Sequence, residues 1–204
     1  TNVKVGSTAL DSNTTGTLNV AVGDAALTAN TTGSNNVAVG RNAMIINTTG
    51  ASNTAVGRSA LQQNAASDNT AIGRDALAAN TTGTYNVAVG AYALDANTTA
   101  SNNTAVGNAA LGANTTGADN VAVGSGALDA NTTASENVAV GKDALTDNTT
   151  GTSNTAVGRM ALGNNTTANG NTAVGTDALF TSTTGENNTS LGHNSMFANT
   201  TGCL

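Results

Sequence analysis

The sequence is poor in the residues that usually build a thick core or a reactive site. Its 204 residues include no Trp and no Pro, only two Tyr and two Phe, and one Cys and one His. Because large apolar side chains supply most of the free energy of burial, this composition excludes a conventional globular core. The single cysteine, Cys203, excludes a disulfide within the chain, and we interpret it as structurally neutral.

Charged residues are scarce as well, at 9% of the chain with a net charge of -6. The acidic balance leaves no basic patch of the kind that nucleic-acid-binding proteins carry. No apolar run approaches the roughly 20 residues that cross a bilayer, so the sequence predicts no membrane span. A disordered chain would carry more charge and would lack the regular spacing of Val, Leu and Ala that this chain has.

What the chain has instead is a 17-residue repeat of the form N-[VT]-A-V-G-x-x-A-L-x-x-N-T-T-[GA]-x-x. Its twelve copies begin at Asn2, Asn19, Asn36, Asn53, Asn69, Asn86, Asn103, Asn120, Asn137, Asn154, Asn171 and Asn188. A fixed period is typical of solenoids, and no linker interrupts it, so we predict one repeat domain over residues 1–204. The copy at 53–68 has 16 residues. Its shortened stretch, 64–68, is assigned to an outer loop because loops tolerate deletions.

Each repeat is predicted to form two short strands separated by turns. The first is Val20-Ala21-Val22 and its equivalents, which are followed by Gly in every copy. The second is Ala26-Leu27, which ends at the turn-forming residues 30–33. Gly and Asn-Thr-Thr interrupt every stretch that could form a helix. The fold class that follows is all-β, a parallel β-solenoid (β-roll) of twelve 17-residue coils.

Alternation along the strands divides the side chains between two faces. We predict that the columns of Val22 and Leu27 fill the interior, and that the columns of Ala21 and Ala26 lie on the opposite face. Because the Ala columns vary so little between copies, something of constant shape must cover them. One Val and one Leu per coil also offset only part of the entropy cost of ordering the backbone. We therefore expect an oligomer with its Ala faces buried between chains.

Two columns of Asn run through the repeats. The first repeat position is Asn in all twelve copies, and the twelfth is Asn in eleven, with Ser182 as the exception. Identical amides stacked coil on coil form hydrogen-bonded ladders, which is the role we predict for both columns. The alternative is N-glycosylation, since Asn30-Thr31-Thr32 and its copies match the acceptor motif. A motif in nearly every coil favours the ladder.

The repeat resembles that of a known family. Asn-Val-Ala-Val-Gly, Asn-Thr-Ala-Val-Gly and Asn69-Thr70-Ala71-Ile72-Gly73, each followed by x-x-Ala-Leu, resemble the head repeats of YadA-like trimeric autotransporter adhesins. The resemblance covers all twelve copies. The longer form with Asn-Thr-Thr-Gly is also similar to repeats of phage tail-fibre-type proteins. The resemblance implies a left-handed parallel β-roll, three chains packed side by side, and a role in adhesion or as a fibre.

The sequence offers no constellation for catalysis, a metal or a cofactor. The one histidine, His193, has no second His with which to form a metal site. Ser190 and Ser195 are near it in sequence, but they occupy positions that hold Ala in nearly all the other copies. The scattered Asp residues do not follow the register of a calcium-binding roll. We predict that the protein is not an enzyme and binds no metal or cofactor.

The two positions after the Gly that follows the strand are the most variable in the repeat. The first of them holds five of the six basic residues, namely Arg41, Arg58, Arg74, Lys142 and Arg159. The simpler interpretation is a solvated rim that discourages sideways aggregation. The alternative is a ligand-binding patch for a surface receptor or host glycan, with Arg41, Arg58, Arg74 and Arg159 as the candidates.

Two classes of function remain. The first is a non-catalytic structural or adhesive segment of an extracellular fibre, a homotrimer on a bacterial cell surface or in the tail fibre of a virion. The alternative is an ice-binding β-solenoid, suggested by Thr31-Thr32 and its copies, although only one Thr of each pair can point outward from a strand. Because neither end of the chain carries a separate cap, we also expect head-to-tail association or continuation in a longer protein.

Overall fold

A computed structural model describes residues 1–202 and forms twelve strands, with no helix among those residues. Each strand takes the second to fourth positions of one repeat. The strands are β1 Val3–Val5, β2 Val20–Val22, β3 Val37–Val39, β4 Thr54–Val56, β5 Thr70–Ile72, β6 Val87–Val89, β7 Thr104–Val106, β8 Val121–Val123, β9 Val138–Val140, β10 Thr155–Val157, β11 Thr172–Val174 and β12 Thr189–Leu191. The predicted all-β solenoid is confirmed.

The chain divides into two compact units, Thr1–Asn102 with β1 to β6 and residues 103–204 with β7 to β12. Within each unit the strands are parallel and pair in chain order. Each of the three strand positions pairs with the same repeat position of the next strand, as in Ala21 with Ala38. Even across the short copy, Val56 pairs with Ile72. The shortened stretch 64–68 contains no strand, as predicted.

In β2 to β12 the middle residue of the strand points into the coil, whereas Lys4 of β1 is exposed. Ala21 and its equivalents from Ala38 to Ala173 are 0% exposed, and we call them the inner Ala column. The residue after it is half-exposed or exposed, with Val56 at 36% and Ile72 at 41%. We call these residues, from Val22 to Val174, the outer Val column. The prediction that Val fills the interior while Ala faces outward is therefore wrong.

The volume of the interior explains this reversal. Besides the strand residue, the second coil encloses four more side chains. They are Ala26, Leu27, Asn19 and Asn30, which are all 0–1% exposed. Because protein interiors are close-packed, the strand contributes only a methyl group. One sequence signal does favour this register. The second repeat position alternates between Val and Thr, which is typical of a half-exposed face, and the fourth position shares that face.

The segment predicted as a second strand is a pair of turns. The Ala26 N–H donates to Gly23 O at 3.4 Å, and the Asn30 N–H donates to Leu27 O at 3.1 Å. Leu27 has φ of 51°, and every equivalent Leu or Met has a φ near this value. This left-handed residue breaks the alternation of side chains, so that Ala26 and Leu27 are both 0% exposed. Leu27 is inside as predicted. The predictions of a second strand and of an outward-facing Ala26 are wrong.

Burial compensates for this backbone conformation. A left-handed backbone at a residue other than Gly costs about 1–2 kcal/mol. Fully burying a Leu side chain contributes roughly 1.5–3 kcal/mol. The Leu27 N–H also donates to Ala43 O of the next coil at 3.0 Å. The turn is therefore stable with a large apolar residue at a position where Gly or Asn would be expected.

A second, two-coil period is superimposed on the repeat. In the second, fourth, sixth, eighth and tenth coils a side chain accepts a hydrogen bond from a backbone N–H of the coil before it. The hydroxyls of Ser34, Ser67, Ser101 and Ser135 accept these N–H groups at 3.0 Å, and Asn169 Oδ1 does so at 2.8 Å. The intervening coils carry Thr or Ala at this position up to Thr152. Neighbouring coils are therefore not equivalent at this corner.

Candidate functional site

The first Asn column joins each coil to the backbone of the next. Asn36 Nδ2 donates to Gly50 O of its own coil at 2.8 Å. Its Oδ1 accepts the backbone N–H of Asn53, one coil on, at 3.0 Å. The same pair of bonds recurs at Asn137, with Gly151 at 2.9 Å and Asn154 at 3.0 Å. Each side chain therefore closes its own coil and holds its successor.

The second Asn column is bonded amide to amide. Asn97 Nδ2 donates to Asn80 Oδ1 of the preceding coil at 2.9 Å and to Ala100 O of its own turn at 3.1 Å. The predicted amide ladder is confirmed in this column. In the first column several amides likewise donate to the amide oxygen of the preceding coil, as Asn53 Nδ2 does to Asn36 Oδ1 at 3.2 Å, beside the bonds to the backbone. Asn30 and its equivalents up to Asn165 are 0% exposed, so the folded chain offers them to no glycosylating enzyme.

The candidate arginines lie on an exposed rim, where Arg58, Arg74 and Arg159 contact the coil that follows. Arg58 forms an ion pair with Asp75 at 3.0 Å. The Arg74 guanidinium lies 4.5 Å from the ring centroid of Tyr92 and 3.7 Å from Asp75. Exposed pairs of this kind contribute about 0–1 kcal/mol, so they order the rim more than they stabilise the fold.

Only part of the candidate patch is brought together. Arg41, Arg58 and Arg74 occupy three consecutive coils of the first compact unit. Arg159 lies in the second unit, where it pairs with Asp177 at 3.0 Å. The Arg58, Arg74 and Arg159 side chains remain 56%, 52% and 53% exposed, so the rim is solvated as the simpler interpretation holds.

The residues considered for catalysis lie in the last coil. Ser190 Oγ is 2.6 Å from Ser195 Oγ and donates to Ser195 O at 2.8 Å. Ser195 Oγ also lies 2.8 Å from Gly192 O. The His193 ring Nε2 is 3.1 Å from Asn194 Nδ2. The structure thus brings the two hydroxyls together and gives His193 an amide neighbour.

One carboxyl in the stack has a shifted pKa. Burial raises the pKa of Asp129, and the carboxylate of Asp143 on the next coil raises it further. The Lys142 ammonium lies 3.2 Å from the Asp143 carboxylate and forms an ion pair with it. Sequence reasoning missed this electrostatic interaction, because the two aspartates belong to different coils.

The Thr pairs are divided between the coil and the solvent. Thr31 Oγ1 donates to Thr48 O of the next coil at 3.0 Å, and Thr115 does the same to Thr132 O at 3.0 Å. The second Thr of each pair, such as Thr32, is exposed. One Thr column per coil therefore points outward, as the sequence predicted.

The surface that sequence reasoning missed is the outer face of the strands. It carries the outer Val column and, beside it, the Val or Thr of the second repeat position. Neither position is charged in any of the twelve coils. Val87, Val123 and Val157 are 36%, 37% and 36% exposed on it. Each compact unit thus presents a β-sheet face of Val and Thr side chains to solvent.

No enclosed site accompanies these surfaces. Residues 1–202 form no pocket, and no three of their His, Cys, Asp or Glu side chains are placed to hold a metal ion. The same residues include no helix long and apolar enough to cross a membrane. Cys203 lies outside the described residues, so its neutrality stays a prediction.

Comparison of the chain with protein-family models, with curated proteins and with solved structures found no match in any of the three.

Proposed function

We propose that the chain is a non-catalytic structural or adhesive segment of an extracellular fibre, on a bacterial cell surface or a virion, and that it packs as a homotrimer. The observation that carries this proposal is the uncharged outer face of the strands. A single chain leaves a column of β-branched side chains such as Val56 and Ile72 in contact with water. Contiguous exposed apolar patches are typical of protein–protein contact sites.

The proposed contact between chains differs from the one expected from sequence. The inner Ala column is inside the coil and cannot meet a second chain. The outer Val column and the Val/Thr column beside it take its place. Full burial of an exposed Val side chain contributes roughly 1.5–3 kcal/mol. Because outer Val side chains such as Val56 are 36% exposed in the single chain, each contributes only part of this on association, and the contact repeats with every coil. The number of chains, three, rests on the resemblance to YadA-like head repeats.

The internal bonding also supports a fibre. Within each compact unit, neighbouring coils are bonded through two Asn side chains as well as through the sheet. Because coils in a solenoid contact mainly their neighbours, such a rod can be lengthened by adding coils. Head-to-tail association of whole chains stays a prediction.

The oligomeric state tests this proposal. We expect sedimentation velocity and light scattering at micromolar concentration to give the mass of three chains. The double variant Val106→Glu with Val123→Glu should give folded single chains, because its carboxylates would be buried without partners in the trimer. As a control, the double variant Asn108→Glu with Ser125→Glu places two carboxylates on the rim of the same two coils and should leave the trimer intact. A native protein that sediments as a single chain would contradict the proposal.

Receptor or glycan binding is proposed for the rim of Arg41, Arg58 and Arg74. These side chains are exposed on consecutive coils, where they would meet an anionic sugar or an acidic peptide. Binding of the fibre to cells or to a glycan array should fall in the triple Ala variant, while Arg159→Ala in the other compact unit serves as the control. Equal binding by both variants would remove the rim from the proposal.

Ice binding is the second candidate function. The exposed Thr column, with members such as Thr116 and Thr133, recurs in every coil except the short one at 53–68 and is the feature that favours it. A fibre segment should show no thermal hysteresis. A measurable hysteresis that disappears in Thr116→Lys with Thr133→Lys would replace the fibre proposal.

A further inference from the structure

The second Asn column is broken at one place. Ser182 stands where the other coils hold Asn, and it is 0% exposed. Two buried side-chain atoms within residues 1–202 have no hydrogen-bond partner, and they are Asn165 Oδ1 and Ser182 Oγ. Both atoms belong to this one step of the column. Leaving buried polar atoms unpaired is costly, so their coincidence points to a ligand.

The intact column defines what this step lacks. Asn148 Nδ2 donates to Asn131 Oδ1 at 3.1 Å and to Gly151 O at 2.9 Å. By the same pattern, an amide at residue 182 would donate to Asn165 Oδ1 and Gly185 O. It would also accept a hydrogen bond from Asn199 Nδ2, which donates to Gly202 O at 3.1 Å. The shorter Ser side chain has a single O–H and cannot replace these bonds.

We propose that the break at Ser182 is a binding site for one ordered water molecule. Water has two donors and two acceptor lone pairs, which match the surroundings. It would donate to Asn165 Oδ1 and Gly185 O and accept from the Ser182 hydroxyl and Asn199 Nδ2. Ser is smaller than Asn by two heavy atoms, which leaves about the space of one water. This inference is independent of the proposed function.

High-resolution crystal structures of matched variants test the site. The native protein should show a density peak within about 3.2 Å of Asn165 Oδ1 and of Ser182 Oγ. In Ser182→Asn the introduced amide nitrogen should occupy this position, and the separate water peak should be absent. Asn148→Ser puts the same break in an intact part of the column and should acquire a peak beside Asn131 Oδ1.

Two results would overturn the proposal. One is a native structure in which the Ser182 hydroxyl bonds directly to Asn165 Oδ1 with no peak between them. The other is a Ser182→Asn variant that retains the peak. If Asn148→Ser does not fold, the native protein and Ser182→Asn still decide the question. In solution, a long-lived water cross-peak to the Ser182 amide proton should be present in the native protein and lost in Ser182→Asn.

Discussion

The two walls of each coil turn side chains of opposite size inward. In the eighth coil, the strand wall places Ala122 inside and leaves Val121 and Val123 on the outer face. The turn wall buries both Ala127 and Leu128. The strand alternates because its backbone is extended, whereas Leu128 has φ of 54° and breaks the alternation.

This difference shows how a narrow coil can close without aromatic residues. A flat wall brings neighbouring backbones close to the interior, so only a methyl group fits there. A wall that reverses direction opens a corner, which a Leu side chain can fill. The positions of the small and large residues therefore follow from the curvature of the backbone, and each wall can be tested separately.

The largest effect is expected at the inward residue of the strand wall. Ala122→Glu should abolish the cooperative fold, because it forces a larger, charged side chain into a position that is 0% exposed. Val123→Glu, one residue further on, should keep the β-type circular dichroism of the native chain. Urea unfolding followed by circular dichroism measures both. Equal loss of structure in the two variants would break the comparison.

The turn wall should respond to loss of volume. Leu128→Ala should destabilise the fold by about 2–5 kcal/mol, as large-to-small substitutions in cores do. Leu128→Gly should cost no more than Leu128→Ala, because Gly adopts the left-handed backbone without strain. Chemical denaturation of the two variants makes the measurement. If the Gly variant had a much lower free energy of unfolding than the Ala variant, the left-handed backbone at Leu128 would carry no strain.

The first Asn column, which lies beside the strand wall, should give a smaller effect. Asn137→Ala leaves the Asn154 N–H without its acceptor at 3.0 Å, so a loss of about 1–3 kcal/mol is expected. Asn164→Ala is the matched control, since this position holds Ala in several other coils. Both variants can be compared by thermal unfolding. A loss at Asn164 as large as that at Asn137 would contradict a specific role for the column.

The smallest effect is expected on the outer side of the turn wall. Because the pKa of Asp129 is raised above its usual 3.8, its ionised form destabilises the fold at neutral pH. Asp129→Asn should therefore raise stability at pH 7, and the gain should shrink as the pH falls through the raised pKa. Asp147→Asn removes an exposed carboxylate and serves as the control. Denaturation midpoints measured from pH 7 to pH 3 test this; a gain that grows on acidification would be inconsistent with a raised pKa.

Sequence reasoning reached the repeat, the parallel stack and the amide ladder because these depend on recurrence. A residue such as Asn30 that returns once per coil must stack on itself whatever the shape of the coil. Which strand face points inward could not be obtained in this way, since Ala21 and Val22 recur equally well. The rim contacts of Arg58 with Asp75 and of Arg74 with Tyr92 could not be predicted from the sequence either, because each partner lies one coil further along the chain.

The sequence by itself determined the period, the placement of the strands at the second to fourth repeat positions, and the columns that stack. Only the tertiary structure decided the inward face, the left-handed turn at Leu27 and the electrostatic effect of Asp143 on the pKa of Asp129. The physical reason is that stacking depends on order along the chain, which a sequence states directly. Burial depends on the volume left when the coil closes, and that volume is set by all walls of the coil together.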